Sequence, residues 1–349
     1  MLPYCIVYPI ILFFSSFQYK SHYIFRILAI VLLIVFIGVR YDVGKDYPAY
    51  ELMYNQYSEI TADSYILEPG YLFIYNLVYA CSGPFYWVTL ITGLLQISFL
   101  YCAIKDFKYY VFSLFLFLTF SGGYVFIVNG MRQGIAACIW LYSLKYISRS
   151  NWVLFILCIL FGGLFHYSLI LMFPLYFLLR KVFPYKFYVI GFVLAIVLSK
   201  VHILASLFLW VMSFTPYSRY LEASSELLDT AATNTGLVFN FINLIGLLIL
   251  CNYKRLIPAF SHYIVYFNLY FIFLVARNIF MDIQIFMRIL PYLSWVDIVV
   301  YPLVISHFFK GQNRILVYIA FSIIAIAVFV KIVCTEDYMI SYQMVQKFQ

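Results

Sequence analysis

The chain has 349 residues, 66% of them hydrophobic and only 10% charged, with a mean hydropathy of +0.97 and a net charge of +8. Soluble domains average about 45–50% apolar and about 25% charged residues, so no globular core of this size could hide so much apolar surface, and lipid has to be the solvent. In that setting the positive charge reports sidedness rather than nucleic acid, and no nucleic-acid partner is expected.

Apolar runs bounded by charged or turn residues predict about twelve transmembrane helices. In chain order they are 2–18, 24–39, 84–104, 109–128, 133–148, 152–166, 168–179, 187–213, 236–252, 258–277, 289–308 and 314–333. The pair 152–166 and 168–179 is short enough to be a tilted or re-entrant hairpin. The expectation is an all-α polytopic integral membrane protein, with 1–349 forming a single transmembrane domain and no separate soluble domain. No cleavable signal peptide is expected, because the first apolar segment begins at Leu2 without a basic stretch ahead of it. The seven cysteines are scattered, with no CxxC or Cys/His cluster, so disulfides and zinc are not expected. The 35 Tyr and 37 Phe include many near the ends of apolar runs, where aromatic belts sit at the membrane interface; they could also stack on sugars, and the belt is the expectation.

Lys and Arg gather in cytoplasmic loops, and that bias orients the chain. One set of connectors carries Lys20, Arg26, Lys105, Lys108, Lys145, Arg149, Arg180, Lys181, Lys186, Lys254, Arg255, Lys310 and Arg314, with Asp106 as its one acid. The opposite set carries the other nine basic residues and twelve of the fourteen acids, with Asp297 left inside a span. The first set is therefore expected to face the cytoplasm and both termini the outside. Apolar segment 69–82 would invert every later loop if it crossed, so it is expected to be an outer-leaflet re-entrant or interfacial helix. The two long outer loops are 40–83 and 214–235, the latter with Arg219, Glu222, Glu226 and Asp229. Loops longer than about 12–15 residues are usually functional or disordered, and recurrent tyrosines in the first argue against disorder. Chemistry is expected on that outer face.

Four constellations could carry it. Arg40, Asp46 and Tyr47 follow the second span: Arg40 could snorkel to the interface or bind an anion, and Asp46, just before Pro48, could cap a helix or serve as a base. Asn129, Arg132 and Gln133 open the 133–148 helix, where the Arg fork and free amides could cradle a diphosphate. Alternatively Arg132 pairs with Asp42, Asp46 or Glu68 to pin the outer helix ends. His166, between apolar runs, is either a satisfied structural residue or a proton acceptor. Arg277, Asp282 and Arg288 form the last set, with helix-end arginines that could equally snorkel. No Walker A, GxSxG, HExxH or DxD motif is present, so no dedicated metal site is expected.

The strings Gly38-Val-Arg40-Tyr-Asp-Val-Gly44-Lys-Asp46-Tyr47, Glu68-Pro69-Gly70-Tyr71, Asn129-Gly-Met-Arg132-Gln133 and Phe165-His166-Tyr-Ser168 resemble the EpsG family, akin to the Wzy-type polysaccharide polymerases of bacterial envelopes. The match spans about the first half of the chain, with Arg288 similar downstream; Lys45 stands where the family usually has a small residue. The resemblance implies a membrane glycosyltransferase without cofactor, in the bacterial cytoplasmic (inner) membrane. It would join undecaprenyl-diphosphate-linked oligosaccharide repeat units on the extracytoplasmic face, with a flippase and a chain-length regulator as companions. Carried onto this sequence, it implies Asp46, His166 and Glu68 as candidates for catalysis. It implies Arg40, Tyr47, Asn129, Arg132 and Gln133 for substrate binding, and Arg277 and Arg288 are added to these as outer arginines. The competing readings are a lipid-linked glycan flippase or transporter, a glycan-modifying acyltransferase, and an O-antigen-ligase-like transferase. The polymerase reading requires Arg40, Asp46, Glu68, Arg132, His166 and Arg288 to line one outward pocket.

Overall fold

The computed structural model describes residues 2–17, 23–56, 67–199, 206–207, 210–211, 213–214, 236–280, 283–335, 339 and 342–344. The loop 214–235 with its four charged residues, and Asp282, lie almost wholly or wholly outside the described residues. The described chain is helical apart from one short strand pair, and it is an all-α membrane protein. Its contacts divide it into two compact units, Met1–Phe173 with Tyr301–Gln349, and Pro174–Val300.

The first unit begins with α1 (Leu2–Ser15), α2 (Tyr23–Gly38) and strand β1 (Arg40–Tyr41). It continues through α3 (Tyr47–Asn55), α4 (Pro69–Ala80), α5 (Tyr86–Ile104), α6 (Tyr110–Leu118), α7 (Gly123–Asn129), α8 (Met131–Ser148) and α9 (Trp152–Gly163), then a 3-10 turn at Tyr167–Met172. Helix α8 is its core. It packs against α5 and α9, and α5 packs in turn on α2. Ile135, Ala136, Ala137, Cys138, Ile139 and Trp140 form an unbroken buried run on α8. A helix buried all round in protein needs no lipid-facing surface, which is why α8 can carry Arg132, Gln133 and Lys145. Small residues allow the close packing: a Cβ on Gly134 would come within 2.6 Å of Gln96 Nε2.

Between α7 and α8 the helix breaks at Gly130, and the carbonyls around the break need donors. Gln96 supplies Nε2 to Ile127 O and Met131 O, both at 3.0 Å. Arg40 supplies Nη2 to Val128 O at 3.1 Å, and its Nε and Nη1 go to Val43 O and Ile37 O. Gly44, at φ +114°, lies where any Cβ would be 2.9 Å from Val128 O. Arg40 has no exposed surface at all. It is a staple between the exit of α2 and the break before α8.

Strand β1 pairs antiparallel with β2 (Gln343–Met344) in the register Arg40 to Met344. Tyr342 stacks on Phe36 at 4.4 Å, and the Tyr4 hydroxyl donates to Met339 O. Several aromatics expected at the membrane interface are instead internal: Tyr4 meets Phe36, Tyr124 and Phe329 edge-on at 5.7–5.8 Å.

The second unit contains α10 (Leu175–Leu179), α11 (Tyr185–Ser199), α12 (Leu237–Cys251), α13 (Tyr253–Ala259), α14 (Ile264–Phe280) and α15 (Gln284–Ser294). Asn268 on α14 donates to Leu179 O and Lys181 O, so the carbonyls at the end of α10 are satisfied, and it accepts from the Tyr188 hydroxyl. Asn243 and Asn278 exchange amide hydrogen bonds of 2.9 and 3.0 Å between α12 and α14. Polar side chains of this kind join helices where water is absent. The remaining helices are α16 (Asp297–Phe308) and α17 (Gly311–Thr335).

The expected count of about twelve spans is corrected. Among the described residues four helices are long and apolar enough to cross, Tyr86–Ile104, Ser261–Phe280, Arg288–Phe308 and Gly311–Thr335. The count rises to six if each bent pair is one span. The expected span 109–128 is such a pair, bent by 54° beside Gly122, and 236–252 continues into α13 through a 70° bend. Helices of 12 to 16 residues at several other expected positions reach only about 18–24 Å, short of the roughly 30 Å hydrocarbon core. The segment expected to be re-entrant or interfacial is α4, of 12 residues.

Replacing Arg40 with Gln should lower the melting temperature of the purified protein sharply, because buried carbonyls lose donors worth about 1–3 kcal/mol each. A Gln variant as heat-resistant as the parent would show that the staple contributes nothing.

Candidate functional site

The site is assembled from three distant stretches of the first unit. Helix α4 starts at Pro69, so Glu68 occupies its N-cap position with extended backbone. An N-cap side chain ordinarily turns back onto the helix amides, but Glu68 makes no such bond. Its carboxylate reaches outward instead. Oε1 meets His166 Nδ1 at 2.7 Å, and Oε2 forms an ion pair with Arg132 Nη1.

A backbone contact sets up this meeting. Gly70 N donates to Leu164 O at 2.7 Å, and a Cβ on Gly70 would fall 2.9 Å from that same oxygen. Only glycine permits the approach. The bond satisfies a carbonyl just beyond α9 and brings Glu68, two residues before Gly70, alongside His166, two residues after Leu164. His166 leaves the helix in an extended conformation and opens the 3-10 turn.

Arg132, in the first turn of α8, also points Nε at the Tyr50 hydroxyl, 3.2 Å away, with its guanidinium 5.7 Å from the ring centre. Tyr50 is held by the Tyr75 hydroxyl, which donates to its carbonyl at 2.9 Å. Tyr71 packs between them, with ring centres 5.5 and 5.2 Å away. Below is a buried tyrosine floor; above, Arg132 and His166 each keep 23% of their side-chain surface exposed, against 6% for Glu68.

The chemistry follows from these contacts. An ionised carboxylate only accepts hydrogen bonds, so Nδ1 of His166 donates to Glu68, which leaves Nε2 as the nitrogen with a lone pair in the neutral ring. Burial pushes the Glu68 carboxyl up, but the His166 hydrogen bond and the Arg132 charge outweigh it and hold the group below the usual 4.5. The arrangement is an orienting carboxylate, a partly exposed imidazole engaged through Nδ1, and a guanidinium on the same carboxylate.

The other sequence-predicted residues take different places. Asp46 is exposed at the start of α3; its carbonyl accepts from Tyr50 N, its side chain makes no capping bond, and its charge is felt at Tyr50. Tyr47 is buried, its ring 5.9 Å from the Arg40 guanidinium carbon. Asn129 Oδ1 accepts from Lys45 N at 2.8 Å and so fastens the 40–47 loop to the helix break. Gln133 is buried on α8. Arg277 belongs to the second unit, buried within a span with its guanidinium carbon 4.4 Å from the Phe239 ring centre and its charge felt by buried Asp297. Arg288, also in the second unit, is exposed at the start of its span. Tyr50 is the site residue that sequence reasoning missed. Its signal was the spacing of Tyr47, Tyr50 and Tyr54, which fall on one helix face and are all buried.

A family model matches residues 23–344. The chain belongs to the EpsG family. The match covers the site and nearly all the rest of the chain, beyond the first-half motifs that suggested it. EpsG membership fits a polysaccharide polymerase in general terms, and a glycosyltransferase-like enzyme. No curated protein and no solved structure is significantly similar to this EpsG-family chain.

A group whose folded pKa is depressed stabilises the fold at higher pH and loses that contribution as pH falls through its folded value. Parent protein should therefore lose melting temperature as pH drops below about 4.5. Glu68→Gln should melt lower at neutral pH and show a shallower acid slope. Parallel slopes would mean that Glu68 is not held ionised by its neighbours.

Proposed function

We propose that this EpsG-family protein is a polysaccharide polymerase acting on lipid-linked units. It transfers a growing glycan from one undecaprenyl diphosphate carrier to the sugar of the next carrier-linked repeat unit. The reaction runs on the extracytoplasmic face of the bacterial cytoplasmic membrane, the placement that goes with the EpsG-family reading. The observation that carries the reading is Glu68 joined at once to Arg132 and His166.

In the reaction, an acceptor hydroxyl oxygen attacks the anomeric carbon of the donor sugar. The carbon–oxygen bond to the diphosphate breaks, and the diphosphate leaves with the electron pair. His166 Nε2 takes the hydroxyl proton, a role worth typically 10²–10⁴-fold. Glu68 fixes the imidazole's tautomer and stabilises the cation it becomes, as a carboxylate does behind a catalytic histidine. Arg132 faces the leaving diphosphate, whose added charge it stabilises as the bond breaks. Because Glu68 already offsets the single charge of Arg132, the grip on the diphosphate strengthens as charge develops, which favours the transition state over the bound donor. In this reading Asp46, exposed at the start of α3, accepts hydrogen bonds from the acceptor sugar's hydroxyls. Arg40, expected to bind substrate in an outward pocket, is instead wholly buried with its donors on backbone carbonyls, so it takes no step and the reading rests on Glu68, Arg132 and His166; Arg40 holds the break from which α8 and Arg132 start.

The test combines deletion with point variants, read as surface glycan on a gel. Deletion should remove the ladder and leave a single-repeat product, whereas loss of all surface glycan would point to flipping or ligation. Arg132→Ala and His166→Ala should each cut polymer by about 10²-fold or more at normal protein level. Polymer of ordinary length in either variant would defeat the assignment.

A further inference from the structure

A pocket of about 220 Å³ lies on the first unit, remote in sequence from the Glu68 site and lined by Lys108, Tyr109, Val111, Phe112 and Tyr318. Its floor is rigid: Phe112 and Tyr318 meet edge-on at 4.6 Å, and the Tyr318 hydroxyl leans on Pro302 O at 3.4 Å. Arg314 lies one turn before Tyr318 on α17, and its charge is felt there. Lys108 thus lines an aromatic pocket and Arg314 stands one turn from its Tyr318, and among the described residues neither is in an ion pair. Asp106, in the same turn as Lys108, does not line it.

What adjoins the pocket identifies the ligand. One residue further round α17, Ile315, Ile319 and Ile323 form a row that is 57%, 51% and 63% exposed. A basic, phenol-lined recess on a helix that also carries an exposed apolar row suits a molecule with an anionic head and hydrocarbon tails. Anionic lipid attracts basic residues that lie near the membrane surface, and Lys108 and Arg314 stand beside the ends of α6 and α17.

We infer that Lys108, Arg314 and the Tyr109–Phe112–Tyr318 recess form a binding site for the phosphate headgroup of an anionic phospholipid, whose chains lie along Ile315, Ile319 and Ile323. The phosphate contacts are charge-assisted and the phenol ring of Tyr109 lends a hydroxyl donor. The site is independent of the polymerase reading.

The experiment is native mass spectrometry of the purified full chain in detergent, titrated with phosphatidylglycerol, phosphatidylcholine or inorganic phosphate. The parent should retain phosphatidylglycerol in preference to phosphatidylcholine. Lys108→Gln with Arg314→Gln should weaken phosphatidylglycerol retention by roughly tenfold or more. Lys105→Gln with Lys310→Gln removes the same charge nearby, outside the lining, and should keep the preference. Equal retention of the two lipids, equal loss in both double variants, or displacement of phosphatidylglycerol by millimolar phosphate would overturn the inference; the last would make free phosphate the ligand.

Discussion

The carboxylate of Glu68 is the joint on which the candidate site depends. A buried carboxylate is expensive unless donors surround it, and this one finds them on Arg132 and His166, 64 and 98 residues further along the chain. It therefore ties the entry of α4 to the entry of α8 and to the exit of α9. Taking either partner away leaves the carboxylate short of a donor, which is why packing and chemistry cannot be separated at this point. The Gly70 contact with Leu164 O serves the same end, since it fixes the two backbones close enough for the side chains to meet.

Beneath that joint lies a second constraint. In a membrane, irregular backbone survives only where protein or water satisfies its polar groups. The break before α8 aims Arg132 at the site, and its carbonyls are met by Gln96 and by Arg40. The loop motif around Arg40 and Gly44 is thus the scaffold of the motif around Asn129 and Arg132, with Asn129 Oδ1 on Lys45 N as a further tie. Two strings that look like separate functional motifs in sequence are one interlocked structure.

The membrane class was legible because composition alone decides it. The number of spans was not, because hydropathy sees apolar runs and not where helices end or bend. The run 109–128 reads as one helix although it turns at Gly122, and α8 reads as a span although its burial within the protein is what permits its polar residues. At the site, Glu68 was one of three acids considered as a partner for Arg132, and that pair is formed. That Glu68 also holds His166 had no sequence signal, since nothing local links residues 98 apart. Arg40 looked like an interfacial cation, yet it is wholly buried; sequence places a residue at a helix end but does not say what packs over it.

The most direct measurement of the central claim is a double-mutant cycle between Glu68→Gln and His166→Gln, with polymer formed per molecule of protein as the readout. Residues acting as one unit lose little more together than either loses alone. The account predicts that the double variant is about as inactive as His166→Gln by itself. Losses that multiply, with each variant leaving the other's contribution intact, would contradict it and separate the carboxylate from the imidazole it touches.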